Sequence, residues 1–118
     1  PLPVSVPSHC DLMKPAAEKL ALELNSVTFN SAKIPLVQNV NGEVANDVAA
    51  IKDGLIKQLY SPVLWTKSVA TLADNQVMII VECGPGKVLS GLNKRIHESA
   101  ALFNLNSADS IATLQESL

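Results

Sequence analysis

The sequence predicts an α/β fold, and three observations carry that expectation. The run "VMIIVECG" is continuously apolar rather than alternating, as in a strand covered on both faces of a parallel sheet. Segments on either side of it repeat apolar residues at helical spacing and carry capping or breaking residues at their ends. Of 118 residues, 47% are hydrophobic and 17% charged, so apolar burial can offset the entropy of ordering one domain. No repeat, low-complexity tract or domain-scale linker interrupts the alternation of strand and helix.

"PLPVSVP" reads as extended, because each proline fixes its own φ and pushes its predecessor toward β geometry. From Asp11 to Asn25 the residues Leu12, Met13, Ala16, Ala17, Leu20 and Leu24 mark a helix, with Pro15 tolerable only in its first turn. That places His9 and Cys10 at the helix mouth. "KIPLVQNV" (Lys33 to Val40) is a short strand closed by the turn signal Asn41-Gly42. A helix capped by Asn46 should then carry Val48, Ile51, Leu55, Ile56 and Leu59 on one stripe and stop between Gln58 and Tyr60.

Ser61 can cap a further helix with Pro62 at its first position, burying Trp65, Val69 and Leu72 until Asp74-Asn75. After the "VMIIVECG" strand, "GPGKVLSGLNKRIH" turns into a helix bearing Val88, Leu89, Leu92 and Ile96. Lys94, Arg95 and His97 lie in its last turn, where cations suit the dipole. "ALFNL" is another short strand, and "SADSIATLQESL" closes the chain as a capped helix using Ile111 and Leu114.

A formal net charge of −2 with singly scattered lysines excludes the basic stripe that phosphate-backbone binding requires, so no nucleic-acid partner is expected. Cys10 and Cys83 have no CxxC spacing and no histidine cluster, which argues for reduced thiols rather than a zinc site or disulfide framework. "VMIIV" is too short to span a bilayer, and the opening residues lack the positive region of a signal peptide. A cytoplasmic protein without a membrane partner is expected. The start without Met, inside an extended proline-bearing run, is expected of a piece of a longer protein.

Chemistry-bearing residues are few. His9 in "VPSHCDLMKPAAEKL" has the neutral-range side chain that a general acid/base needs, yet one histidine at a helix entrance fits a structural role equally well. No G-x-S-x-G exists, because Ser90 precedes Gly91 but follows Val88-Leu89. Cys10 reads as a small apolar filler. "CGPGKV" fails the phosphate-loop spacing and reads as a tight strand-to-helix connection. Lys94 and Arg95 read as solvated dipole partners.

Taken together, "VPSHCDLMKPAAEKL", "KQLYSPVLWTKSV" and "VECGPGKVLSGLNKRI" resemble the C-terminal portion of the malonyl-CoA:acyl carrier protein transacylases of bacterial fatty-acid synthesis. The resemblance runs from residue 1 nearly to the end, in order and without large gaps. Polyketide-synthase acyltransferase domains share the fold and the PSH-type histidine, but "QLYSPVLWTKSV" is more similar to the free-standing bacterial enzyme.

The resemblance implies that residues 1–118 are the C-terminal segment of one α/β-hydrolase-like acyltransferase domain, with short, mostly parallel strands and flanking helices. The family's G-H-S-x-G serine and the arginine that holds the malonyl carboxylate lie upstream, as does its ferredoxin-like part, and all are missing from this sequence. His9 matches the histidine of the family's catalytic pair, and a main-chain carbonyl that orients it maps to Gln58. Gln58 falls in the last turn of the "VAAIKDGLIKQL" helix, where carbonyls lack intrahelical partners.

The implied chemistry is ping-pong malonyl transfer from malonyl-CoA to the phosphopantetheine thiol of acyl carrier protein, with no metal or redox cofactor. A monomeric intact enzyme is implied, and an inactive isolated fragment. Two other functions compete: a non-catalytic α/β module that binds acyl carrier protein, and a fragment of a polyketide-synthase-type acyltransferase.

Overall fold

Pro15 decides where the first long helix begins. A 3-10 turn at Asp11–Met13 leads into α1 (Lys14–Ser26), and Pro15 sits in the first turn, where its missing N–H is no loss. The computed structural model describes residues 7–117, so the extended expectation for "PLPVSV" lies outside the described residues. The chain divides into two units, residues 1–71 and 72–118, with the last turn of one helix falling in the second.

In the first unit α1 packs on α2 (Val48–Lys57). Ala17, 2% exposed, lies on that side of α1, beside Ala21, Ile56 and Tyr60. A small residue lets the two helix backbones approach. The α2 N-cap is Asp47 rather than the expected Asn46. Asp47 has an extended backbone and its side-chain oxygen accepts the Ala50 N–H at 2.7 Å, a reach that Asn46 would miss by one residue.

The expected strand from Lys33 to Val40 shrinks to β1 (Leu36–Val37), which pairs antiparallel with β2 (Val44–Ala45). The turn between them closes as Gly42 N–H donates to the Gln38 carbonyl at 2.8 Å and Gln38 N–H to the Glu43 carbonyl at 3.0 Å. Gly42 has φ of +66°, the left-handed region that glycine enters without penalty. The tip docks on the next helix: Lys67 pairs with Glu43 at 2.8 Å, and the Thr71 hydroxyl donates to the Gly42 carbonyl.

That helix, α3 (Trp65–Asp74), stops at Asp74 as expected but starts later than Ser61-Pro62 suggested. Residues 62–64 stay outside it. The Leu64 N–H is committed to the Asn39 carbonyl at 2.7 Å, while the Leu64 carbonyl accepts the Ser68 N–H at 2.9 Å. Pairing with the hairpin therefore overrides the local cap signal. Val69, 1% exposed, is the most deeply buried large side chain among the described residues, with Ser68 buried beside it.

The second unit is a strand-helix-strand-helix run. β3 (Ile79–Cys83) pairs in parallel with β4 (Ala101–Leu105), Ile79 opposite Ala101 and Cys83 opposite Leu105, with α4 (Val88–Ile96) as the crossover. Parallel pairing matches the sequence expectation, but complete cover on both faces does not: Met78 and Ile79 are exposed. The α4 stripe departs likewise, with Val88 at 73% exposure while Asn93, between the expected core positions, is 3% exposed. Helical spacing reports which residues are apolar and not what covers them. α5 (Ala108–Ser117) follows β4, entered through reciprocal bonds between Ser107 and Ser110. Its Ile111, expected on the buried face, is also exposed.

The α4 N-terminus answers the "CGPGKV" question. Glu82 at the end of β3 fills it, accepting from the Ser90 hydroxyl at 2.6 Å, the Ser90 N–H at 2.7 Å and the Leu89 N–H at 3.2 Å. The helix end thus binds its own chain's carboxylate. These donors, the Ser90 hydroxyl foremost, hold the Glu82 carboxyl below the ordinary glutamate range. A folded-state value below the unfolded one, about 4.3, means that the stabilisation is fully present above that value and is lost as pH falls through the lowered one. In Glu82→Gln, the Leu89 and Ser90 amides should exchange faster than in the parent at neutral pH, and the difference should vanish in acid. Equal exchange at pH 7 would refute this role.

Candidate active site

His9 is positioned by two consecutive carbonyls at the C-terminal end of α2. Its ring Nδ1 lies 2.8 Å from the Gln58 oxygen, and its backbone N–H donates to the Leu59 oxygen at 2.9 Å. A carbonyl oxygen can only accept, so Nδ1 carries the proton and donates it. The lone pair is then on Nε2. His9 is exposed, and a base facing outward from its anchoring helix can meet a reacting group.

The local sequence explains why the Gln58 carbonyl is free. In a continuing helix it would accept from residue 62, four positions on, but Pro62 has no N–H to give. The chain instead turns, with Leu59 N–H donating to the Ile56 carbonyl at 3.3 Å and Tyr60 N–H to the Lys57 carbonyl at 3.2 Å. The Gln58 oxygen stays available for the imidazole and adds the negative end of the α2 dipole. Lys57 and Asp53 pair across one turn at 2.7 Å, and that hydrogen bond raises the Lys57 pKa. Both side chains are exposed.

The backbone at His9 is unusual. Its φ of +61° puts a non-glycine residue in the left-handed region, and such strain is retained where surrounding bonds fix it. The Leu59 carbonyl holds the amide on one side. On the other, the 3-10 turn is closed by Met13 N–H donating to the Cys10 carbonyl at 2.9 Å. Cys10 itself is half-buried and its Sγ donates to the Pro7 carbonyl at 3.2 Å.

Both sequence-selected residues, His9 and Gln58, are therefore within one hydrogen bond of each other, although 49 positions apart. Lys94 and Arg95 are exposed at the end of α4. His97 has a structural partner instead, its Nε2 donating to the Val77 carbonyl at 2.9 Å. Among the described residues no group of three or more His, Cys, Asp or Glu is arranged to hold a metal ion. No described helix is long and apolar enough to cross a membrane.

Sequence reasoning missed Leu59, Gln38 and Gly54. Gln38 amide nitrogen donates to the carbonyls of Ala50 at 3.0 Å and Ile51 at 3.3 Å, over the face of α2 that Gly54 leaves bare. A glycine in the interior of "VAAIKDGLIK" was the available signal, since glycine there is costly unless something approaches closely.

No protein-family model matches the chain. A malonyl CoA-acyl carrier protein transacylase of Salmonella typhimurium is 56% identical over 106 residues, covering 90% of this chain and 34% of that protein. The Bacillus subtilis protein of the same name is 42% identical over 111 residues, covering 94% and 35%. Among solved structures, the malonyl-CoA:acyl carrier protein transacylase of Xanthomonas oryzae superposes with a TM-score of 0.92 at 44% identity, covering 98% of this chain and 37% of that one. A malonyl-transacylase solved in complex with its type II polyketide-synthase acyl carrier protein gives 0.94 at 43% identity, covering 100% and 38%.

Fold and neighbours together define the chain as the C-terminal part of an α/β acyltransferase domain. It spans little more than a third of the length of the relatives it matches. Over that span it is a homologue of the malonyl CoA-acyl carrier protein transacylases.

Proposed function

We propose that residues 1–118 are the C-terminal segment of one acyltransferase domain, and that the complete protein moves a malonyl group from malonyl-CoA to the phosphopantetheine thiol of acyl carrier protein. The observation that carries this reading is the 2.8 Å contact between His9 Nδ1 and the Gln58 carbonyl, which leaves Nε2 as a base. A serine in the part of the relatives that this chain does not span is the nucleophile. The serine oxygen attacks the thioester carbonyl while its proton passes to Nε2. As the C–S bond breaks, the imidazolium returns that proton to the coenzyme A thiolate.

The second half runs the same steps in reverse order with a different thiol. Nε2 takes the proton of the phosphopantetheine thiol, the sulfur attacks the malonyl-serine ester, and the serine oxygen leaves with the proton from the imidazolium. Thioester becomes ester and then thioester, so no redox change is involved. The Gln58 carbonyl holds the ring through both halves and, as the acceptor at a helix C-terminus, favours the imidazolium that forms. The complete enzyme is read as a cytoplasmic monomer meeting soluble partners.

The test is malonyl transfer to acyl carrier protein, followed by intact mass of the carrier. The longer protein containing this chain should load the carrier, and the 118-residue chain alone should not, because proximity of serine and histidine supplies the catalysis. Turnover by the isolated chain, free of longer contaminant, would force Cys10 or one of its own serines into the nucleophile role. Failure of the longer protein to load the carrier would favour a binding module instead.

A further inference from the structure

We propose that Gln38 and Gly54 form a clamp that positions the Gln58 carbonyl for His9, an inference that rests on the transfer chemistry proposed above. Ala50, Gly54 and Gln58 follow one another at intervals of four along α2 and its cap, so they share a face. The Gln38 amide lies on that face. It donates to the carbonyls of Ala50 and Ile51, and a methyl group at position 54 would collide with the amide itself. Gly54 is therefore a glycine because the Gln38 amide occupies the space of its missing side chain.

The clamp acts on the next turn of the same helix. Gly54 carbonyl accepts the Gln58 N–H at 2.9 Å, which fixes the plane of the last helical peptide and the course of the chain on into the Gln58 carbonyl. Gln38 is itself held from both sides by the closed turn to Gly42 and Glu43. Its neighbour Asn39 accepts the Leu64 N–H at 2.7 Å, so consecutive hairpin residues grip the chain before and after the corner at 58–64. Gln38, Gly54, Leu55 and Gln58 also line one cleft of about 250 Å³, which puts the clamp and the orienting residue on a common wall.

Gln38 is long and flexible, so Gly54→Ala would push its amide aside rather than break the helix, and Gln38→Ala would remove the same amide directly. Both changes delete one interaction. In the complete transacylase each should lower kcat about tenfold while KM for malonyl-CoA stays within about twofold, as expected for misplacement of a group that acts in the transition state. The double variant should also be about tenfold down, not about a hundredfold, because the second change removes nothing further. Nitrogen-15 signals of the His9 ring, sharply Nδ1-protonated in the parent, should become those of mixed tautomers in all three variants.

The clamp is overturned by a single variant that keeps both the ring signature and the parental kcat, or by losses that multiply in the double variant. Gln38→Ala only deletes atoms and guards against a Gly54→Ala protein that fails to fold. His9→Ala separates this proposal from the chemistry beneath it. Lost turnover in His9→Ala with unchanged clamp variants sinks the clamp alone, whereas near-normal turnover in His9→Ala sinks the transfer chemistry and leaves the ring signature to judge the clamp.

Discussion

His9→Ala in the complete protein is expected to cut the proposed malonyl transfer by about 10²–10⁴ and leave the fold in place, the range that general acid/base help contributes. The side chain is exposed and, among the described residues, its ring bonds to the Gln58 carbonyl, while the backbone bond to Leu59 survives the change. Alanine is nevertheless strained at a φ of +61°, so His9→Asn is the better companion, since asparagine tolerates that conformation and supplies no base. Both variants should load carrier protein at the same low rate, and His9→Asn should melt close to the parent. Near-normal turnover in His9→Asn would remove the histidine from the mechanism, and a collapsed melting temperature would assign it a structural role.

Val69→Asp is expected to produce the largest loss of stability. Val69 is 1% exposed on α3, and an unpaired carboxylate there costs several kcal/mol, a large fraction of a domain's net stability. The cost should depend on pH. A buried carboxyl has its pKa raised, so the variant should regain stability relative to the parent as the solution is acidified and the group becomes neutral. Urea melts of Val69→Asp, with Val69→Asn as a control lacking the titration, measure this. A variant melting within about 0.5 kcal/mol of the parent at pH 7 would show that this position is not the core that its burial indicates.

The elements with strong local signals were legible. Pro15 in the first turn marks α1, the unbroken "VMIIVECG" run marks β3, and "ALFNL" marks β4. Val44–Ala45 was invisible as a strand because two residues carry no alternation, and its existence depends on Leu36–Val37 across the hairpin. The α3 start was misplaced for a related reason. Ser61-Pro62 has the chemistry of a helix entrance, but the Leu64 N–H belongs to Asn39, a partner that no local pattern names.

The site was readable to a different depth. His9 stood out as a neutral-range histidine at a helix mouth, with a structural role equally open, while its catalytic role and the Gln58 carbonyl came from resemblance to a family. What the residues themselves explain is why that carbonyl is free: Pro62 stands where its helical donor would be. Gln38 gave no signal, because a glutamine after a short strand is ordinary. Only its contact with the Gly54 face reveals it.

The left-handed backbone at position 9 also limits which residues evolution can try there. Asparagine, aspartate and histidine enter that region several-fold more readily than other side chains, and glycine enters it freely. Lysine, tyrosine or cysteine, each able to move protons elsewhere, would first have to bear the conformational penalty. Aspartate would set a carboxylate against the Gln58 oxygen, two acceptors with no proton between them at neutral pH. Asparagine and glycine have no base. Histidine alone satisfies the backbone, the carbonyl and the proposed reaction together, so a drifting lineage has no stepping-stone through which to exchange this base for another without first rebuilding the loop.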